Sequence, residues 1–194
     1  MAHADGALAD VPGDLEAFER WQDRQPEAHP RAEFLAGQVR LMAPERAYHG
    51  QLKLNITIAL RALARARSCE AYVDSLAVKS RTTEASVIPD ALVVCPPVGR
   101  DETAVEDALV VVEVLSPSNT GPEMADKLEV YAALPGLRHY LVVHGDRPLV
   151  VHHTRDAAKA PFLIHLHTDG EIVLTALNGA IALDALYDGV DMPE

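Results

Sequence analysis

The chain has 194 residues, 48% of them hydrophobic and 24% charged, which suits one soluble domain with a substantial buried core. Its formal net charge of -12 excludes a strong grip on nucleic acid through a broad basic surface, because phosphate contacts need Lys and Arg. The start of the chain has no basic, apolar-cored leader and no apolar run reaches membrane-spanning length, so the sequence reads as a cytoplasmic protein with no membrane partner.

The charge is concentrated at the ends. Residues 1–33 carry 8 acids against 3 bases, and residues 184–194 carry 4 acids and no base. The middle is therefore close to balanced, and a local contact with an anion remains open there. Cys69 and Cys95 have neither metal-ligand spacing nor the density of a disulfide framework, so both read as reduced, partly buried thiols.

In chain order, residues 1–12 read as a frayed, Ala-rich lead to a single domain spanning 1–194. Asp14 caps a helix with a one-sided apolar stripe through Leu15, Phe18 and Trp21, which Pro26 and Pro30 end. Ala32 to Met42 reads as two short strands turning near Gly37, with Glu33 at the entry. After Pro44 a long helix is predicted from about Ala47 to Arg67. Leu52, Ile56, Ala59, Leu60 and Leu63 recur along it at helical spacing, and Lys53, Arg61, Arg65 and Arg67 lie on its other side. Ala71–Lys79 and Ser86–Val94 read as strands, and Pro96–Asp107 as a polar loop. A strand over Ala108–Leu115 follows. Thr120-Gly-Pro-Glu123 then matches a capping box with Pro in the first helical turn, opening a helix to Leu134. Further strands are predicted at Arg138–Val143, Leu149–His153, Phe162–His167 and Glu171–Leu174, with a helical turn within Ile181–Tyr187.

The informative anomaly is Glu113. Six of the eight residues from Ala108 to Leu115 are Val or Leu, the pattern of a strand covered on both faces. An unpaired carboxylate there costs several kcal/mol, of the order found for buried ions. Glu113 must therefore have a cationic partner, a metal or a shared proton. Pro89-Asp90 supplies a second acid beside another apolar run. If the two strands pair directly, the arms around Asp101 are nearly equal, and Asp90 falls opposite Glu113. Two such carboxylates and a backbone carbonyl suit a hard divalent cation with open positions. A nearby lysine, Lys127, suits the orientation of water or the neutralisation of developing charge. This is the pattern of metal-dependent phosphodiester hydrolysis. The structural alternative is that Asp90 caps a strand end and Glu113 pairs with Lys127. Lys127 and Tyr131 are four apart and share a helical face.

Other residues carry two readings each. Glu33 is a further candidate acid or a solvated charge at a strand entry. His49 and Lys53, also four apart, suit contact with a phosphate or an exposed helical face. Tyr131 suits either substrate contact or packing on the sheet. His152-His153 and His165-x-His167 place imidazoles on shared strand faces, a spacing compatible with zinc, but no cysteine accompanies them.

Pro89-Asp90, Val112-Glu113-Val114-Leu115-Ser116-Pro117-Ser118, Asp126-Lys127 and Tyr131 together resemble the signature of the bacterial Uma-two family, within the PD-(D/E)XK, restriction-endonuclease-like superfamily. Glu33, Gly37, Pro44 and His49 are similar to its N-terminal pattern, and Leu137-Arg138-His139-Tyr140 to a later strand entry. The resemblance spans about residues 30–145. It implies an α/β fold with a restriction-endonuclease-like mixed central sheet flanked by helices. It also implies a magnesium-dependent endonuclease, with manganese as a substitute, acting on nucleic acid and most simply DNA. Asp90 and Glu113 would bind the metal, Lys127 would be the basic catalytic residue and Glu33 a further acid. A homodimer presenting two sites to two strands is the arrangement common in that superfamily. The chain departs from the superfamily at Leu115, where its usual lysine would fall, and near Leu141 and His144. The rival from another class is a non-catalytic nucleic-acid or protein-binding module retaining the fold; a third reading is hydrolysis of a small phosphodiester.

Overall fold

In the computed structural model, residues 12–25, 31–116, 119 and 121–193 are described. Most of the expected lead, Pro26, Pro30, Pro117, Ser118 and Thr120 of the expected capping box lie outside them. Asp14 caps α1 (Leu15–Asp23), its Oδ1 accepting from the Ala17 N–H at 2.7 Å. The apolar stripe of α1 seats Phe18 on Phe34, with ring centroids 5.5 Å apart. Strands β1 (Ala32–Leu35) and β2 (Gln38–Leu41) form a hairpin. Its two turn residues, Ala36 and Gly37, both take positive φ, as a tight hairpin of this handedness requires.

Helix α2 (Ala47–Arg65) follows, then the strands that carry the architecture. The predicted strand Ala71–Lys79 is two strands, β3 (Glu70–Val73) and β4 (Ala77–Ser80), broken at Asp74, which has φ 50°. Ser86–Val94 likewise divides into β5 (Ala85–Val87) and β6 (Ala91–Val94). In both cases the chain leaves one sheet and enters another, and a period-two pattern alone does not show such a crossing. Within the predicted loop, β7 (Ala104–Val105) pairs parallel to β4. Then come β8 (Val110–Leu115), α3 (Gly121–Ala133), β9 (His139–His144), β10 (Val150–Thr154), β11 (Leu163–His167), β12 (Glu171–Leu174), β13 (Gly179–Ala182) and α4 (Leu183–Tyr187). The predicted terminal helical turn is thus α4, preceded at Ile181 and Ala182 by the end of β13.

The larger sheet has the order β11-β10-β9-β8-β6-β3, and the smaller β2-β1-β5-β4-β7; β12 and β13 form a separate pair. Both larger sheets are mixed, with β8 parallel to β9 and antiparallel to β6. Val110, Val112 and Val114 pack with Leu52, Ile56 and Leu60 of α2. On the opposite face Val111 and Leu92 meet Val130, Tyr131 and Leu134 of α3, together with Val78 and Val87 of the smaller sheet. Burying each such aliphatic side chain contributes about 1.5–3 kcal/mol. The expected α/β architecture, mixed sheets flanked by helices, is present.

Cys69 and Cys95 are disulfide-bonded, which corrects the expectation of two free thiols. The reason is register: Glu70 pairs with Val94 in the β3–β6 ladder, so the next residues outward face each other. The zinc reading of the histidines also changes. His152 lies directly opposite His165, but His139 Nε2 accepts from the Ala176 N–H, and its Nδ1 lies 3.0 Å from His152 Nε2. With both rings neutral, His139 donates to His152, so the free Nδ1 of His152 carries a proton rather than a lone pair for a metal. Burial first, then the adjacent His139 and the imidazoles of His167 and His165, pushes the His152 pKa down to about 3. Burial and then Arg138 bring His139 to about 4.

Both rings fold neutral and become charged more easily in the unfolded chain. Their contribution to stability is therefore full above the unfolded value near pH 6.5 and is lost as pH falls toward 4 and 3. Urea denaturation over pH 7 to 4 should show a decline of up to about 1.4 kcal/mol per pH unit for each such group. In His152→Gln the slope should be shallower; parallel slopes in the two proteins would count against this account.

Candidate active site

The crossing between the two sheets is Ile88-Pro89-Asp90. Proline has no N–H to leave unpaired there. The β6–β8 register pairs Ala91 with Val112, and one step further places Asp90 against Glu113, as expected for direct pairing. The Asp90 Oδ2 accepts from the Val114 N–H at 2.6 Å. Glu113 occupies the face of β8 that looks toward α3, and α3 returns over it after a short connection. Lys127 Nζ lies 3.1 Å from each Glu113 carboxylate oxygen and 3.2 Å from Glu33 Oε1. Tyr131, one turn later, donates its hydroxyl to Glu113 Oε1. Glu33 also accepts from the Ile88 N–H at 2.7 Å, tying β1 to the crossing.

On the other side stands α2. His49 and Lys53 are buried, at 7% and 3% exposure, so the reading of an exposed helical face is overturned. Lys53 Nζ lies 3.4 Å from Asp90 Oδ1 and donates to Asp74 and Glu45. His49 Nε2 lies 2.9 Å from the Val114 carbonyl oxygen, which only accepts, so Nε2 carries the proton. In the neutral ring Nδ1 is then a lone pair. It is buried without a hydrogen-bond partner among the described residues, and Glu45 Oε2 lies 3.4 Å away. A lone pair facing a carboxylate is repulsive unless a proton or a cation lies between them.

The electrostatics follow from burial. Asp90 is held above the usual carboxylate range by desolvation, opposed by His49, the Val114 N–H and Lys53. Desolvation raises Glu113 to about 8, with Lys127 opposing and Asp90 and Glu33 reinforcing. Burial works against the Lys127 ammonium, but Glu113 and Glu33 outweigh it and keep the group firmly protonated. Burial and then Glu113 raise Tyr131 well above a free tyrosine, so it remains a donor.

Glu33, Glu45, Asp90, Glu113 and Lys127 line one cavity of about 490 Å³, with His49, Arg40 and Arg46 also on its wall. All the predicted acids and Lys127 are brought together. Tyr131 packs fully buried against Tyr140 as well as donating to Glu113. The expected ion pair of Glu113 with Lys127 is also present. Three participants were not singled out from sequence: Glu45, Asp74 and Arg40. The signal for Glu45 was its position four residues before His49. Asp74 and Arg40 carry no local signal, because long-range pairing brings them in. Among the described residues, Glu45, His49 and Asp90 form a group whose potential ligand atoms all lie within 4.8 Å of one another. Oxygen donors with one imidazole fit magnesium or manganese.

Residues 15–184 match the profile of the Uma2 family, described as "Putative restriction endonuclease". An uncharacterized protein of Synechocystis sp., slr1290, is 27% identical over 177 residues, covering 90% of this chain and 91% of the relative. A second, sll1609 of the same organism, is 26% identical over 123 residues, 62% of this chain and 70% of the relative. Among solved structures, a "putative nuclease belonging to DUF820" from Anabaena variabilis superposes with TM-score 0.71 at 14% identity, covering 91% of this chain and 98% of that one. At that identity the likeness shows a shared fold.

Lys127 is the only ammonium against both Glu33 and Glu113 among the described residues. Lys127→Met should therefore destabilise the fold by about 3–5 kcal/mol, the cost of uncovering a buried ion. Urea denaturation of the metal-free protein measures it; a loss below about 1 kcal/mol, as for a surface pair, would refute the pairing.

Proposed function

Because the chain belongs to the Uma2 family of "putative restriction endonucleases", we propose that it is a magnesium-dependent endonuclease hydrolysing phosphodiester bonds of nucleic acid, most simply DNA. The observation that carries this reading is the convergence of Asp90, Glu113 and Glu33 with one buried lysine in a single open cavity. A module without chemistry has no need to bury three carboxylates beside one ammonium.

Asp90 and Glu113 would hold the cation, and the carboxylate and imidazole of Glu45 and His49 are further donors on the α2 side. His49 Nδ1, buried and without a hydrogen-bond partner among the described residues, supports the fit. The bound cation supplies Lewis-acid polarisation of the phosphate and activation of water. The protein's own groups do the rest. The Val114 N–H fixes the Asp90 carboxylate. Tyr131 fixes one oxygen of Glu113. Lys127, protonated and aimed at Glu113 and Glu33, is placed to orient water and to stabilise negative charge as it develops on the phosphate. Glu33 holds Lys127 from the smaller sheet. Low-dielectric surroundings strengthen each of these interactions.

An isologous dimer would present two such sites to the two strands of a duplex, and the reading places the activity in the cytoplasm, on cellular nucleic acid. Among the described residues no helix is long and apolar enough to cross a membrane.

Plasmid and oligonucleotide cleavage with magnesium or manganese tests the proposal. Cleavage should vanish with chelator and fall at least 1,000-fold in Glu113→Gln, about 4 kcal/mol of transition-state stabilisation. Undiminished cleavage in that variant would rule out the mechanism. Manganese bound without any polynucleotide cut would favour the small-phosphodiester reading, and neither binding nor cleavage would favour the non-catalytic module.

A further inference from the structure

The acidic floor creates a problem for any phosphodiester approaching it, since the substrate is itself an anion. Among the nitrogen-bearing side chains on the cavity wall, Lys127 and His49 are buried and engaged by Glu113, Glu33, Val114 and Glu45. Arg40 and Arg46 are differently placed. Arg40 lies directly opposite Glu33 across the β1–β2 hairpin, so its side chain leaves the same face of the ladder toward the cavity. Its guanidinium stands 3.8 Å from Glu123 Oε2 and 3.9 Å from Asp126 Oδ2. Both separations exceed hydrogen-bonding range. Its Nη1 is buried with no hydrogen-bond partner among the described residues. Arg46 precedes α2, is exposed, and makes neither a side-chain cap bond nor an ion pair among the described residues.

A guanidinium poised between two acids but bonded to neither has donors to give. Phosphate matches its planar fork and is held by two parallel hydrogen bonds. Glu123 and Asp126 hold the guanidinium only at these longer separations, so exchanging them for phosphate costs little. The cavity therefore has an anionic floor and two guanidiniums on its wall, in a protein whose net charge is otherwise repulsive to nucleic acid.

Building on the endonuclease reading, we propose that Arg40 and Arg46 grip the phosphates that flank the scissile one, which makes the site one for a polynucleotide rather than for an isolated phosphodiester. Specific recognition then depends on backbone charges spaced along a strand. The bases are not read by these two residues, because contacts to phosphate position a strand without carrying its sequence.

The test is binding, kept separate from cleavage. Fluorescence anisotropy of a labelled octathymidylate and of a labelled dithymidine monophosphate is followed in calcium over a range of salt. The wild type should bind the octamer at least about tenfold more tightly than the dimer, since only the longer strand offers flanking phosphates. Arg40→Gln and Arg46→Gln should each lower the slope of log affinity against log salt by about 0.7, one phosphate contact on a single strand. Arg100→Gln removes the same charge from an exposed loop outside this cavity and should leave the slope as it was. Arg46→Gln alters an exposed side chain, so it keeps the test open should Arg40→Gln fail to fold. Equal affinity for octamer and dimer, or an unchanged slope in a folded Arg40→Gln and in Arg46→Gln, overturns the proposal. Loss of slope in these variants with no cleavage by the wild type would uphold the grip and reject the catalytic reading.

Discussion

The structure depends on one ammonium, Lys127, held between two buried carboxylates from different sheets. Glu113 stands in a strand whose other residues are all Val or Leu, and Glu33 lies at the entry to the first hairpin. Taken alone, either acid would oppose the packing of its strand. Bridged by Lys127, they become a reason for the smaller sheet, the larger sheet and α3 to adopt one mutual arrangement. Such an ion cluster adds little net stability compared with a well-packed apolar substitute. Its contribution is to make other arrangements expensive, since any that separates the three leaves a charge stranded.

The same constraint explains the balance of the site. Lys127 answers Glu113 and Glu33, while Lys53 answers Asp90 from the opposite side with Asp74 and Glu45 around it. The two lysines come from α2 and α3, on opposite faces of the larger sheet. The acids outnumber them, and Glu113 retains a proton up to about pH 8 in the metal-free protein. A cluster with more carboxylates than cations, and with an imidazole lone pair turned toward one of them, is electrostatically incomplete. Under the proposed function a divalent cation would complete it.

Much of this was legible in the sequence because it rests on local rules. An acid inside Val-Val-Val-Glu-Val-Leu demands a partner, and the short return of α3 over β8 brings Lys127 to it. Near-equal arms around Asp101 located Asp90 opposite Glu113. The strand breaks at Asp74 and at Ile88-Pro89-Asp90 were missed because the apolar alternation continues across them while the chain changes sheets. His49 and Lys53 were misplaced on an exposed face because charge on a helix ordinarily marks its solvated side, whereas here that side closes over Asp90. Cys69 and Cys95 face each other only through the β3–β6 register, which their separation of 26 positions along the chain conceals.

The passage of the chain through Ile88-Pro89-Asp90 has a consequence for the order in which the molecule becomes competent. Asp90 belongs to neither ladder alone: its carboxylate leans on β8, and the residue two before it donates to Glu33 of the other sheet. A nascent or partly unfolded polypeptide in which only one half has formed therefore holds no complete centre. The candidate centre therefore comes together only once the two sheets have docked.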